Sequence, residues 1–278
     1  MLSVIIPANN EAGYIEPCLD ALLAQDPVPP VPVEIIIAAN ACTDDTVAIA
    51  RSYAAQVQAR GWRLEVLDIA EGGKPNALNR GDAAASGVLR LYLDADITME
   101  PAMLAQLCAV LDRPEPAYAS GRLVVAPAKS WVTRKFMTLW QRLPFMTRSG
   151  VTGAGLFAVN ATGRLRWGEF PRIIADDSYV RLQFSPEERH GVPARYLWPA
   201  VEGFDALVRV RRRQDAGSRE IAETYPELVR NEGKPPVHPT DHLRLFLGTP
   251  VSYLVYVTVM LAVKFGDSGN QTGWSRGR

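Results

Sequence analysis

Two aspartates separated by one residue, Asp94 and Asp96, follow the apolar run Leu89-Arg90-Leu91-Tyr92-Leu93. Carboxylates at the exit of a buried strand are costly unless something positive joins them. A hard divalent cation, Mg²⁺ or Mn²⁺, suits that position: it binds through one or two carboxylates and completes its shell with phosphate oxygens and water. The triplet points to chemistry on a nucleotide diphosphate, with a solvated turn as the plain alternative. A second acidic pair, Asp176-Asp177, opens a helical run through Val180, Leu182 and Phe184. Acids in a first turn also serve as caps and dipole complements. Lys74 adds positive charge in the loop Gly72-Gly73-Lys74-Pro75-Asn76. Arg209, Arg211, Arg212 and Arg213 form a basic run that is either a solvated face or a clamp for a diphosphate or a lipid phosphate.

The surrounding sequence predicts the frame that positions these groups. Short apolar runs at 3–7, 33–39, 64–69 and 89–93 read as strands, and 16–25, 44–60, 75–86 and 101–111 as helices between and after them. Strands apolar on both faces that alternate with helices imply a parallel sheet covered on both sides. In such sheets ligands sit at the carboxyl ends of the strands. Each strand is followed there by a polar loop: Ala8-Asn9-Asn10-Glu11, Asn40-Ala41-Cys42-Thr43-Asp44-Asp45, the Lys74 loop, and the aspartate triplet. Their amide and acidic groups could grip a ribose and a base. The second half offers strands at 118–126 and 156–159 and a helix at 129–146. That helix carries Trp131, Phe136, Trp140 and Phe145, most simply as core packing, otherwise as an acceptor groove or a lipid contact. Gly150 to Gly155 reads as a flexible turn whose backbone amides could approach a ligand.

The 278 residues suffice for one large α/β domain, and 47% apolar with 22% charged residues fits a folded chain. Lys plus Arg and Asp plus Glu number 30 each, so no global field favours nucleic acid. Cys18, Cys42 and Cys108 show neither metal spacing nor a disulfide framework and read as small hydrophobes in a reducing compartment. Residues 1–7 lack the basic start and cleavage site of a signal peptide. Residues 245–263 carry no charge, near the length that spans a bilayer, and leave three readings: a transmembrane helix, an interfacial helix or a buried terminal helix. A cytoplasmic location at the inner membrane face is the expectation.

In this order, the motifs resemble the family 2 glycosyltransferases, which have the GT-A-like fold. The family opens with a strand and a Pro-x-x-Asn-Glu turn, here Pro7-Ala8-Asn9-Asn10-Glu11. An acidic turn follows the second strand, here Asn40 to Thr46. Then come Gly73-Lys74-Pro75-Asn76-Ala77-Leu78-Asn79, the Asp94 and Asp96 triplet, the Gly-rich segment Gly153-Ala154-Gly155, and the acidic pair. The resemblance covers roughly residues 1–185. It implies an α/β fold with a mainly parallel sheet and helices on both faces. Residues 1–100 would be the nucleotide-sugar-binding half, 101–235 the acceptor and catalytic half, and 240–265 an apolar membrane-associated or terminal helix.

The resemblance also implies roles. Pro7, Ala8, Asn10, Glu11, Asn40, Lys74 and Asp94 would hold a nucleotide-diphosphate sugar. Asp96 would ligate Mg²⁺ or Mn²⁺, and Asp177 would be the general base. Asp176, where the family usually has Glu, joins Gly153, Gly155 and Arg212 as further candidates. Asn40 stands where the family commonly has an Asp that touches the base. A Gln-x-x-Arg-Trp motif of processive synthases is absent, which favours single addition over polymerisation. The implied reaction is inverting transfer of one sugar to a glycan or lipid-linked hydroxyl, in exopolysaccharide or cell-wall glycan synthesis. A polyprenyl-phosphate glycosyltransferase and an inactive membrane scaffold of the same fold are the alternatives. A nucleotidyltransferase or a dinucleotide-dependent oxidoreductase would need a Gly-rich loop after the first strand, and Ala8-Asn9-Asn10-Glu11 has no glycine.

Overall fold

The apolar runs become strands whose alternate side chains enter two different cores. The computed structural model describes residues 1–28, 31–148 and 151–265. It sets β1 (Leu2–Ala8), β2 (Val33–Asn40), β3 (Arg63–Ile69) and β4 (Leu89–Leu93) in parallel, in the order β3-β2-β1-β4. Successive side chains of a strand point to opposite faces. Val4, Ile6, Ile35, Ile37, Leu91 and Leu93 therefore join one core. Ile15, Leu19 and Leu22 of α1 (Ile15–Leu23) and Leu104 and Leu107 of α5 (Met103–Leu111) close that core. Ile5 and Tyr92 face the other way, toward Leu78 of α4 (Lys74–Ala84) and Val180 and Leu182 of α9 (Asp176–Leu182).

A carboxylate inside β2 is accommodated at the amino ends of the strands. Glu34 is buried, and it accepts hydrogen bonds from the Ser3 hydroxyl at 2.6 Å and the Ser86 N–H at 2.6 Å. Burial alone would raise its pKa. The bonds from Ser3, Ser86 and Gly87 outweigh burial and hold the carboxyl below its ordinary value.

The sheet continues past β4 with β7 (Leu156–Val159), β6 (Tyr118–Val125), β8 (Arg189–Trp198) and β5 (Thr98–Met99). β7 runs antiparallel to both of its neighbours, and β6 and β8 are parallel. The expected mainly parallel sheet, covered on both faces, is present. β8 is an addition to the expectation. Its buried residues alternate as Val192, Ala194 and Tyr196, and Pro193 sits where the ladder with β6 slips register. Proline is tolerated at such an irregularity because no ladder hydrogen bond is asked of it.

Several expected helices are divided. The 44–60 segment forms α2 (Thr46–Ser52) and α3 (Ala54–Ala59), parted at Tyr53, whose hydroxyl donates to Asp20. The 129–146 segment forms α6 (Trp131–Trp140) and α7 (Pro144–Arg148), with Pro144 opening the second piece. A short α8 (Ala161–Arg164) follows β7. The arginine run lies on α10 (Phe204–Thr224), a 21-residue helix in which Arg211 pairs with Asp215 at 2.7 Å.

The uncharged stretch 245–263 is two helices, α11 (Pro239–Gly248) and α12 (Pro250–Phe265). Pro250 forces the break, because the residue before a proline is driven out of the helical region; Thr249 has φ −151° and ψ 68°. The 16 residues of α12 reach about 24 Å, short of a ~30 Å hydrocarbon core. Among the described residues, no helix is long and apolar enough to cross a membrane. α12 packs instead against α6 and α10 in a third core with Phe136, Leu207, Val208 and Val259.

Candidate active site

The strand order reverses between β1 and β4, since the chain continues from β1 to β2 on one side and from β4 away from them on the other. Such a reversal opens a crevice at the carboxyl ends. A pocket lies there, between Pro7 at the end of β1 and Leu93 and Asp94 at the end of β4. α4 contributes Lys74 and Leu78, β7 and its approach contribute Phe157 and Gly155, and α9 contributes Asp176 and Asp177.

Asp94 is placed by its backbone. Its N–H donates to the Gly155 carbonyl at 2.8 Å, one step beyond the β4–β7 ladder, and its carbonyl accepts from Ile97 N–H at 3.1 Å. That turn carries Asp96, which is half-buried beside the pocket rather than on its wall. Burial, with Asp96 and Asp94 close by, drives the Cys18 thiol far above its usual pKa, so Cys18 stays a neutral hydrophobe. Gly155 and Gly153 both have positive φ, +72° and +68°. Gly150 lies outside the described residues. A Cβ on Gly153 would stand 1.6 Å from the Tyr118 hydroxyl, which is buried with no hydrogen-bond partner among the described residues. Gly153→Ala is accordingly expected to lower stability, with about 1–3 kcal/mol from strain at that φ and a further share from the collision with Tyr118. Adding Tyr118→Phe, which removes the colliding oxygen, should recover part of the loss in urea unfolding. No recovery would mean that backbone strain alone sets the penalty.

Lys74 stands in the first turn of α4, just after Gly73, whose N–H donates to Asn40 Oδ1 at 2.9 Å. Its ammonium bridges Asp94 Oδ1 at 2.9 Å and Asp176 Oδ2 at 3.1 Å. A cation at a helix amino end opposes the helix dipole, and burial favours the neutral amine. The charges of Asp176, Asp94 and Asp177 outweigh burial and raise the Lys74 pKa, keeping it an ammonium. Asp176 is buried in turn. Burial, reinforced by Asp177 and Asp94 and opposed by Lys74, pushes its carboxyl up to about 6. Asp177 is half-buried on the pocket wall, and its Oδ1 accepts the Ser178 N–H at 2.6 Å.

Asn79 closes the Gly-Lys element by clasping Phe170 from both sides. Its Oδ1 accepts the Phe170 N–H at 2.6 Å and its amide donates to the Phe170 carbonyl at 3.1 Å. This fixes the segment that leads into α9. Tyr92 and Phe157, stacked at 4.9 Å, floor the pocket. In the sequence Tyr92 is part of an apolar run, and Leu78, Asn79 and Phe157 carry no individual role. The Gly-Lys-x-x-Ala-Leu-Asn pattern held the signal for Leu78 and Asn79.

Two of the expected donor contacts, Asn40 and Asn10, use their side chains to join the rim loops. Asn40 is buried, and its amide donates to the Ala8 carbonyl at 2.8 Å while its oxygen holds Gly73. It clips two rim loops together. Asn10 Oδ1 accepts the Thr43 N–H at 2.6 Å and the Asp44 N–H at 3.2 Å, which ties the first rim loop to the second. Glu11 stands on the same joined rim, its N–H bonded to Thr46 Oγ1 at 2.7 Å. Arg212 donates to the Ala262 carbonyl at 2.8 Å, capping the end of α12, and is not on the pocket wall.

The acids offer hard oxygen donors around one ammonium. Among the described residues, no three His, Cys, Asp or Glu side chains form a ready metal cage. The set instead fits a cation held by one or two carboxylates and completed by phosphate oxygens and water.

Residues 3–166, more than half the chain, match the model of glycosyl transferase family 2. The chain belongs to glycosyl transferase family 2. This family 2 chain is 36% identical over 100 residues to 4,4'-diaponeurosporenoate glycosyltransferase of Staphylococcus aureus (strain MRSA252), covering 35% of the chain and 24% of the relative. It is 34% identical over 107 residues to the uncharacterized glycosyltransferase EpsJ of Bacillus subtilis (strain 168), covering 38% and 29%. These matches span only about a quarter of each relative's length. Its fold is shared with the mannosyltransferase PcManGT from Pyrobaculum calidifontis, solved with GDP-Man and Mn²⁺. The TM-score there is 0.59 at 21% identity, over 96% of the chain and 76% of that protein. Glucosyl-3-phosphoglycerate synthase from Mycobacterium tuberculosis, solved with Mn²⁺ and UDP, gives 0.54 at 18% identity, over 80% and 79%. The GT-A-like fold of the family 2 chain stands on both likenesses.

Proposed function

We propose that the protein transfers one sugar from a nucleotide-diphosphate sugar to a hydroxyl of a glycan or lipid-linked acceptor, with inversion at the anomeric carbon. Exopolysaccharide or cell-wall glycan assembly at the cytoplasmic face of the membrane is the setting we infer. The observation that carries the reading is the convergence of Asp94, Lys74 and Asp177 on one pocket at the switch point of the sheet. Family membership and the nucleotide ligands of the fold neighbours support it.

Each residue has a task in this reading. Pro7 and the joined rim loops of Asn10, Glu11 and Asn40 shape the nucleoside side. The Lys74 ammonium lies where it can meet a diphosphate and stabilise the charge that develops on the leaving group. Asp94 and Asp96 are the residues that would hold Mg²⁺ or Mn²⁺, which when bound would neutralise the leaving diphosphate. Asp177 takes the proton from the acceptor hydroxyl. Asp176 keeps Lys74 charged and in place.

Thermal unfolding with UDP, GDP, CMP or dTDP, each with and without Mn²⁺, tests the donor site. A ligand at 100 times its Kd stabilises by about 2.7 kcal/mol, or roughly 5–10 °C for a chain of this size. One nucleotide is expected to give a metal-dependent shift that Asp96→Ala abolishes. The absence of a shift with every nucleotide would remove the donor reading and favour a non-catalytic scaffold.

A further inference from the structure

The outer faces of α11 and α12 are apolar where a solvated helix should be polar. On α12 the exposed positions include Val251, Leu254, Thr258, Leu261 and Phe265, spaced three and four residues apart, so they form one stripe. Leu243, Phe246 and Leu247 make the matching stripe on α11. Leu247 is 70% exposed and Phe265 74%. The opposite face of α12 is already used: Val259 is buried, and Tyr256 stacks on Phe136 at 5.1 Å. A contiguous apolar face of this kind marks an interaction surface.

The charge around the hairpin selects what meets that face. The whole chain is balanced, yet α6, α7 and the turn between them contain Arg134, Lys135, Arg142 and Arg148 and no Asp or Glu. Across 233–265 the one acid is Asp241, and its carboxylate is held by Arg148 at 2.7 Å. Arg142 lies 3.9 Å from where a side chain on Gly248 would begin, at the turn between the helices. Arg244 and Lys264 are exposed on the helices themselves. Asp215 of α10 acts on Tyr256 of α12 and is itself paired with Arg211 at 2.7 Å. An apolar stripe with exposed basic neighbours, and with Asp241 and Asp215 both held by arginines, is the pattern of a helix lying in the plane of an anionic membrane surface.

We propose that the α11–α12 hairpin docks on an anionic lipid bilayer. Its exposed Leu, Val and Phe side chains enter the headgroup–acyl boundary, and Arg142, Arg244 and Lys264 meet lipid phosphates. The inference does not depend on the donor pocket, and its readout needs neither nucleotide nor activity.

The test is flotation of the purified 278-residue protein with phosphatidylcholine vesicles, with and without phosphatidylglycerol. The protein should float with the anionic vesicles and bind phosphatidylcholine alone about tenfold more weakly or worse, with a difference that shrinks as salt is raised. Leu247→Glu with Leu254→Glu should lower flotation at least about tenfold. Arg244→Glu with Lys264→Glu should reduce binding to the anionic vesicles only. Circular dichroism should stay at wild type in both pairs, since all four residues are exposed. Failure to float with either vesicle would overturn the proposal, and equal flotation with both would overturn its anionic element. A concentration-dependent dimer in light scattering, dissociated by the leucine substitutions and unchanged by vesicles, would instead assign the face to a second copy of the chain.

Discussion

Asp177→Asn is expected to lower turnover by about 10²–10⁴-fold, the usual contribution of a positioned general base, while nucleotide-dependent stabilisation stays at wild type. The geometry separates Asp177 from its neighbour. Asp176 is buried and engaged by Lys74, whereas Asp177 is half-buried on the pocket wall. The helix backbone sets the Asp177 carboxyl group through the 2.6 Å bond from Ser178 N–H to Oδ1. Asparagine keeps the size of the side chain and an oxygen to accept that bond, so the first turn of α9 should be undisturbed. Only the capacity to take a proton is lost. The loss should appear in kcat and kcat/KM together, with the donor KM unchanged, as expected when an interaction confined to the transition state is removed. Turnover within about tenfold of wild type would place the base elsewhere. A lost nucleotide shift would instead mean that Asp177 belongs to donor binding.

What the sequence revealed and what it concealed divide along physical lines. β1 and β2 were legible because strands buried on both faces read as largely apolar runs, β3 because Leu64, Val66, Leu67 and Ile69 outnumber its charges, and β4 and β7 begin and end where their runs do. The rim groups were legible because Lys74, Asp94 and Asp176-Asp177 each follow or open a recognisable element. β8 was not, since Arg189–Trp198 alternates apolar residues with Arg and His and carries a proline inside the strand. α10 was hidden by its arginines, which read as a charge run although Arg211 and Arg212 are engaged by Asp215 and by carbonyls of α12. The inward turn of Asn10 and Asn40 was out of reach for a different reason. Residue type shows that an amide can donate and accept, but its partner is chosen by loops more than thirty residues away in sequence. Tyr92 and Phe157 carry no sign of the pocket in the sequence, because both are buried and line it only where β4 and β7 lie side by side.

Lys74→Met is expected to lower stability by about 3 kcal/mol near pH 8, the low end for removing one partner of a buried ion pair, because Lys74 keeps some exposure. Methionine retains the unbranched stem, so the loss is one of charge. It leaves Asp176, with Asp94 and Asp177 nearby, without the cation that stabilises the group in its ionised form. The pH dependence identifies the cause. In the wild type, burial first, then Asp177 and Asp94, lift the Asp176 carboxyl from an ordinary 3.8 to about 6 against the pull of Lys74. A group with a raised folded-state pKa supplies stability that is full below its unfolded value and fades as pH rises through its folded value. Wild type minus Asp176→Asn should therefore decline between about pH 4 and 6, whatever the other carboxylates contribute. Lys74 itself stays charged across that range, so it adds no slope. Removing Lys74 raises the Asp176 pKa further, so the Lys74→Met deficit should shrink on acidification and widen above pH 6. Lys74→Met with Asp176→Asn should regain most of the loss, because a neutral pair in that volume needs no counter-charge. The double variant should still respond weakly to nucleotide, since the ammonium proposed to meet the diphosphate is gone. A deficit that does not change with pH, or that Asp176→Asn fails to relieve, would mean that Lys74 is held by packing rather than by its carboxylates, and would undercut its assignment as the charge that meets the donor.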